Sequence, residues 1–144
     1  MKEVISKDNI QLSVDVNTWE ESIEAAGYLL IKTNKITHDY VESMINSVHE
    51  MGPYMVLMPG FALVHAAPSS AVHESAISLI TIKNPVSFNS PNDPVKVVLC
   101  LACIDKTSHM DNLQVIAEKL MVDNMVEQIY NCKTTEELYQ LINL

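Results

Sequence analysis

Residues 95–104, VKVVLCLACI, form an apolar run broken by one lysine. Side chains alternate between faces along a strand, so a run without polar alternation suits a strand covered on both sides. Two shorter aliphatic runs, 54–58 and 76–82, have the same character. Pro59-Gly60, Asn84-Pro85 and the segment 90–94, SPNDP, punctuate them as turns. Outward from this middle the period becomes helical. Trp19, Ile23, Ala26 and Leu30 recur at helical spacing behind Thr18-Trp19-Glu20-Glu21, a capping box, which predicts a helix over Trp19–Lys32. Thr37 can cap a second helix whose stripe is Tyr40, Val41, Met44, Ile45 and Val48, ended by Gly52-Pro53.

Towards the other end, Leu113, Ile116, Ala117 and Leu120 form a stripe behind Ser108-His109-Met110-Asp111. Val122, Met125, Val126 and Ile129 continue it, with Asp123 as a restart. Thr134-Thr135-Glu136-Glu137 is a further capping box leading into Leu138, Leu141 and Ile142. Near the start, Ile10, Leu12, Val14 and Val16 alternate as in a short amphipathic strand. Helices at both ends and strands between them imply an α/β fold: a single-domain layered sandwich over residues 1–144, with a mixed β-sheet flanked by helices.

Composition narrows the function. The chain has 144 residues and a net charge of −9, and all nine basic residues are lysines. An acidic chain without arginine is a poor match for nucleic acid and suits a protein partner. No apolar stretch approaches the roughly 18 residues of a membrane span, and the first residues lack a signal-peptide core, so the chain reads as cytoplasmic. Cys100 and Cys103 have CxxC spacing. They lie inside the strand-like run, where positions i and i+3 point to opposite faces, and they read as core thiols. With Cys132 the cysteine count is odd, against a disulfide framework.

The chemistry lies with histidine. His38, His49 and His73 read as surface residues. His65 closes the segment 52–68, GPYMVLMPGFALVHAAP, in which Gly60 can take positive φ. An imidazole followed by Ala66, Ala67 and Pro68 has little bulk around it, as a nucleophile that meets a partner protein requires. His109 follows the run 95–104 and a polar turn, and is expected as the first residue of a helix, beside unpaired N–H groups that favour anions. The residues alone do not say whether His65 and His109 meet.

The segment 58–68, MPGFALVHAAP, resembles the active-site segment of enzyme IIA components of the phosphoenolpyruvate-dependent sugar phosphotransferase system. The resemblance is to the mannitol/fructose type, and most of all to its ascorbate-type subgroup. Tyr40-Val41-Glu42-Ser43-Met44, the Pro85-Val86-Ser87-Phe88 segment, Asn92-Asp93-Pro94-Val95, Leu101-Ala102-Cys103-Ile104-Asp105 and Ser108-His109-Met110 resemble further family segments in the same order. This resemblance implies that His65 is phosphorylated by the phosphocarrier HPr. The group then passes to a cysteine of an enzyme IIB partner and on to a sugar entering through a membrane enzyme IIC. It implies that His109 helps hold the phosphoryl group, and that no metal or other cofactor is needed. A neutral imidazole, with an ordinary pKa of about 6.5, can attack phosphorus in line.

The chain departs from the family where Val64 stands for the usual Pro, Ala67 for Arg in the ascorbate-like pattern, and Ser47 for the mannitol branch's site arginine. No guanidinium can clamp the phosphoryl group, so His109, backbone amides or a lysine such as Lys106 must suffice. Competing readings are a regulatory, phosphorylation-sensing relative, a small-molecule binder using His65, and a metal site on His65 and His109, which lacks a third ligand at zinc spacing.

Overall fold

The computed structural model describes residues 4–143; within them the side chains of Ser108, His109, Asn112 and Leu113 fall outside the description. The element order is a 3-10 turn (Lys7–Asn9), β1 (Ile10–Val14), α1 (Trp19–Lys32), α2 (His38–Met51), β2 (Val56–Met58), β3 (Phe61–Val64), β4 (Ala76–Val86), β5 (Val95–Ala102), α3 (Lys106–Leu120), α4 (Met125–Tyr130) and α5 (Thr135–Asn143). The strands form one sheet in the order β1-β4-β5-β3-β2. β1 is parallel to β4, β4 antiparallel to β5, β5 parallel to β3, and β3 antiparallel to β2. The expected mixed sheet flanked by helices is therefore present.

Two cores lie on opposite faces of the sheet. Ala62, Val64, Ile80, Val98, Cys100 and Ala102 pack with Ile23, Leu30, Tyr40 and Met44 of α1 and α2. Phe61, Leu63, Leu79, Val97, Leu99 and Leu101 pack with Ile116, Leu120, Ile129, Leu138 and Ile142 of α3, α4 and α5. The central strands are apolar on both sides because both sides are covered. Cys100 falls in the first core and Cys103, the first residue beyond β5, in the second; both are buried, on opposite faces as expected. Burial pushes the Cys100 thiol up to about 12, which suits an inert core group.

Several local signals hold. Thr18 Oγ1 accepts the Glu21 N–H at 3.2 Å, and Thr134 Oγ1 accepts that of Glu137 at 3.1 Å. Gly60 has φ +79° at the Pro59-Gly60 turn joining β2 to β3. Gly27 lets α1 pack closely on α2, since an added Cβ would lie 2.6 Å from Val41 Cγ2. His38, His49 and His73 are exposed, as expected.

Other expectations are corrected. Thr37 precedes α2, but its hydroxyl makes no capping bond and is buried without a partner. β4 runs on through Asn84-Pro85 to Val86, with its register broken between Thr81 and Val86; a break admits proline, which has no N–H to offer a ladder. The restart after α3 falls at Asn124, at φ 62°, one residue after Asp123. No helix among the described residues is long and apolar enough to cross a membrane.

The 87–93 loop is organised by Asp93. Its carboxylate accepts N–H bonds from Phe88 and Ser90, both 2.9 Å, and the Ser87 hydroxyl at 2.8 Å. Partial burial pushes its pKa up, but these donors outweigh that effect and hold it below the usual aspartate value. A depressed folded pKa stabilises the fold fully above the unfolded value of about 3.9 and progressively less as pH falls through the folded value. Asp93→Asn is therefore expected to cost about 1 kcal/mol at pH 7, after allowance for solvent screening. Urea unfolding of both proteins should show that gap narrowing below about pH 4. A gap independent of pH would show that the charge is not what matters.

Candidate functional site

β3 and β5 run parallel and in register from Phe61↔Val97 to Val64↔Cys100. Their connections to the next elements thus leave the same end of the sheet. His65 is the first residue beyond β3, and α3 begins four residues beyond Ala102. Sites in open α/β sheets gather at such strand ends.

His65 is half-buried, and its Nδ1 lies 2.9 Å from the carbonyl oxygen of Leu63. A carbonyl can only accept, so this bond requires the proton on Nδ1. The lone pair of the neutral ring then belongs to Nε2. The Tyr54 ring stands edge-on to the imidazole, centroids 6.0 Å apart at 87°. Val64 is fully buried and paired to Cys100; its N–H lets β3 continue up to the histidine. Ala67 is exposed.

The other predicted groups fall as follows. His109 is the fourth residue of α3, not the first, because the helix starts at Lys106 immediately after Asp105, a residue type favoured before a helix. Its side chain lies outside the described residues. The helix start expected at His109 is thus at Lys106, and it still follows β5 directly. Lys106 itself is exposed. Ser47 bonds back to the Ser43 carbonyl at 2.9 Å, spending its hydroxyl on its own helix. No group of three or more potential metal ligands occurs among the described residues.

Reading the sequence missed two residues here. Tyr40 entered as part of an apolar stripe and of a family-like segment, with no role for its hydroxyl, yet that hydroxyl accepts the Ala66 N–H at 3.0 Å and lies 2.8 Å from the Leu101 carbonyl oxygen. The signal available was a tyrosine within a core stripe, since a buried phenol needs a polar partner. Tyr54 entered only through its apolar run and through Gly52-Pro53-Tyr54, which resembles the ascorbate-type subgroup, with no contact to His65 expected.

The family model described as "Phosphoenolpyruvate-dependent sugar phosphotransferase system, EIIA 2" matches residues 3–144. The chain belongs to this EIIA family. An "Ascorbate-specific PTS system EIIA component" of Salmonella choleraesuis (strain SC-B67) is 28% identical over 146 residues, covering 99% of this chain and 95% of that protein. The solution structure of the mannitol-specific cryptic phosphotransferase enzyme IIA CmtB from Escherichia coli superposes with a TM-score of 0.87 at 26% identity, covering 96% of this chain and 95% of that one. The Escherichia coli complex of enzyme IIAMTL with phosphorylated enzyme IIBMTL contains the same fold, with a TM-score of 0.84 at 20% identity over 96% of each chain. This EIIA is accordingly a phosphotransferase component, a phosphoryl carrier of the sugar phosphotransferase system.

Proposed function

We propose that His65 Nε2 is the atom that carries the phosphoryl group. The N–P bond of HPr's phosphohistidine breaks as the Nε2–P bond forms. The group then leaves Nε2 for a cysteine sulfur of enzyme IIB, on the way to a sugar taken up through the membrane enzyme IIC. Residues 1–144 act as one carrier domain in the cytoplasm. The sugar is ascorbate or a close analogue, as in the curated relatives.

The observation that carries this reading is the Nδ1–H bond to Leu63 O. It leaves one lone pair, on Nε2, and resists rotation of the ring during in-line attack. The surroundings support a protein partner. Tyr54 (42%), beside His65, and Ile104 (54%), two residues beyond β5, are exposed apolar side chains, and such a rim fits another protein better than a small solute.

His109 and the start of α3 serve as the second part of the site. What supports this is the parallel pairing of β3 with β5, which sends both connections out of the same end of the sheet. A helix N-terminus offers N–H donors to the equatorial oxygens, a role that matters more in a chain without arginine.

The test is intact-mass spectrometry after incubation with phosphoenolpyruvate, enzyme I and HPr. One phosphoryl group should appear at neutral to mildly alkaline pH and be lost on acidification, as phosphohistidine is. Absence of labelling on the folded native chain would sink the reading.

A further inference from the structure

Tyr40, the third residue of α2, is completely buried. Packing α2 against the sheet requires only its ring, and a buried hydroxyl is costly unless it is bonded. Here the hydroxyl accepts the Ala66 N–H at 3.0 Å and has two carbonyl oxygens in reach, Leu101 at 2.8 Å and Ala66 at 3.1 Å. It has one proton, so it donates to one carbonyl at a time, and Leu101 is the nearer. Burial raises the phenol's pKa well above the ordinary tyrosine value, so that proton stays in place.

The position of these partners is what gives the contact meaning. The β3–β5 ladder ends at Val64↔Cys100. Ala66 has left β3 and is buried, so its backbone groups need partners that no strand supplies. Leu101 is the next residue of β5 beyond the last pair. The Tyr40 hydroxyl therefore spans the two main chains where the ladder has stopped. One of them has just delivered His65, and the other is about to enter the turn into α3. On the α3 side, the Ile104 N–H is held by Ser75 Oγ at 2.9 Å. His65 is then fixed from both directions, by the Leu63 carbonyl before it and by the anchored Ala66 after it.

We propose that Tyr40 is a positioning residue for phosphoryl transfer, its hydroxyl setting the orientation of the His65 imidazole and its spacing from the start of α3. This rests on the reading of His65 as the acceptor. Positional errors of about 1 Å at a reacting group can cost on the order of 100-fold in rate, so loosening one side of His65 should be felt in the chemical step and not in docking.

The experiment compares Tyr40→Phe with Ser78→Ala in transfer kinetics from phospho-HPr. Ser78 is a second buried hydroxyl on the same face of the sheet; it sits within β4 and donates to the Ala26 carbonyl of α1 at 2.6 Å. Both variants should melt earlier than the native chain. Tyr40→Phe should lower the maximal transfer rate about tenfold or more with the KM for phospho-HPr within about twofold, and Ser78→Ala should transfer at the native rate. Imidazole 15N shifts should move from the Nδ1–H pattern towards a tautomer mixture in Tyr40→Phe alone. Native transfer rates in a destabilised Tyr40→Phe would overturn the proposal. If that variant does not fold, amide exchange in the native chain decides: protection of Ala66 comparable to β3 supports the anchor, and rapid exchange removes it. A native chain that takes no phosphoryl group would instead defeat the underlying reading of His65, whatever Tyr40 does.

Discussion

Replacing His65 by alanine is expected to abolish phosphoryl acceptance from phospho-HPr while leaving the fold intact. The imidazole stands at the end of β3 with Nδ1 bonded to the Leu63 carbonyl, which leaves Nε2 as the nitrogen that can attack. Loss of a nucleophile costs on the order of 10⁴-fold or more when nothing can replace it. The stability effect should be small by comparison. His65 is half-buried, and its bond to Leu63 O is worth about 1 kcal/mol. The measurement is intact-mass labelling at alkaline pH beside a thermal melt of the same sample. Labelling equal to the native chain in a folded His65→Ala protein would place the acceptor elsewhere. His109→Ala gives the contrasting result: it should still accept one phosphoryl group, more slowly, or hold it less long. Abolition of acceptance by His109→Ala, with His65→Ala still labelled, would reverse the two roles.

The largest expected loss of stability is at the far end of the chain. Asn143 is buried, and its carboxamide is fully used. Oδ1 accepts the N–H groups of Val4 and Ile5, and Nδ2 donates to the carbonyls of Ile5 and Tyr139, each at 2.9 Å. Ile5 is 1% exposed, so its main chain has no access to water. One side chain thus satisfies an irregular N-terminal segment that belongs to no strand. Asn143→Ala leaves at least the Ile5 N–H and C=O buried without partners, at roughly 1–3 kcal/mol each. The expected cost is about 3 kcal/mol in total, which lowers Tm by about 10 °C for a domain of this size. None of Asn143's partners belongs to the His65 loop, so phosphoryl acceptance well below Tm should remain. A Tm within 2 °C or so of the native protein would mean that the segment finds other partners.

Both predictions concern residues that carry very different signals in the sequence. His65 was legible because it closes an apolar run next to a Pro-Gly turn and sits among small residues, and the resemblance to EIIA segments gave it a role. Asn143 was not legible. Its partners lie at the opposite end of the chain, and an asparagine near a C-terminus reads as a solvated residue. Tyr40 lies between these cases, since its place on the buried stripe was clear and its hydroxyl's partners were not.

The helix α1 was read with its observed ends because its signals are local: a capping box four residues long and a stripe at positions three and four apart. The start of α3 was misjudged by three residues for the same kind of reason. Ser108-His109-Met110-Asp111 imitates a capping box, but the chain leaving β5 enters the helix at Lys106, where the sheet delivers it. Thr37 looked like a cap, yet its hydroxyl is buried without a partner at the junction where the segment beside it pairs with Val72.

By itself the sequence determined the layered α/β architecture, the burial of Cys100 and Cys103, the net acidic charge and the candidate histidines. Each follows from periodicity, turn chemistry or charge, which act over a few residues. The tertiary structure alone decided the strand order, and with it the meeting of the ends of β3 and β5. It also decided which ring nitrogen of His65 carries the proton, and the use of Tyr40 to bind the two ends together. Those depend on hydrogen bonds between main-chain groups that are far apart in the chain, and every residue except proline has the same main-chain donor and acceptor.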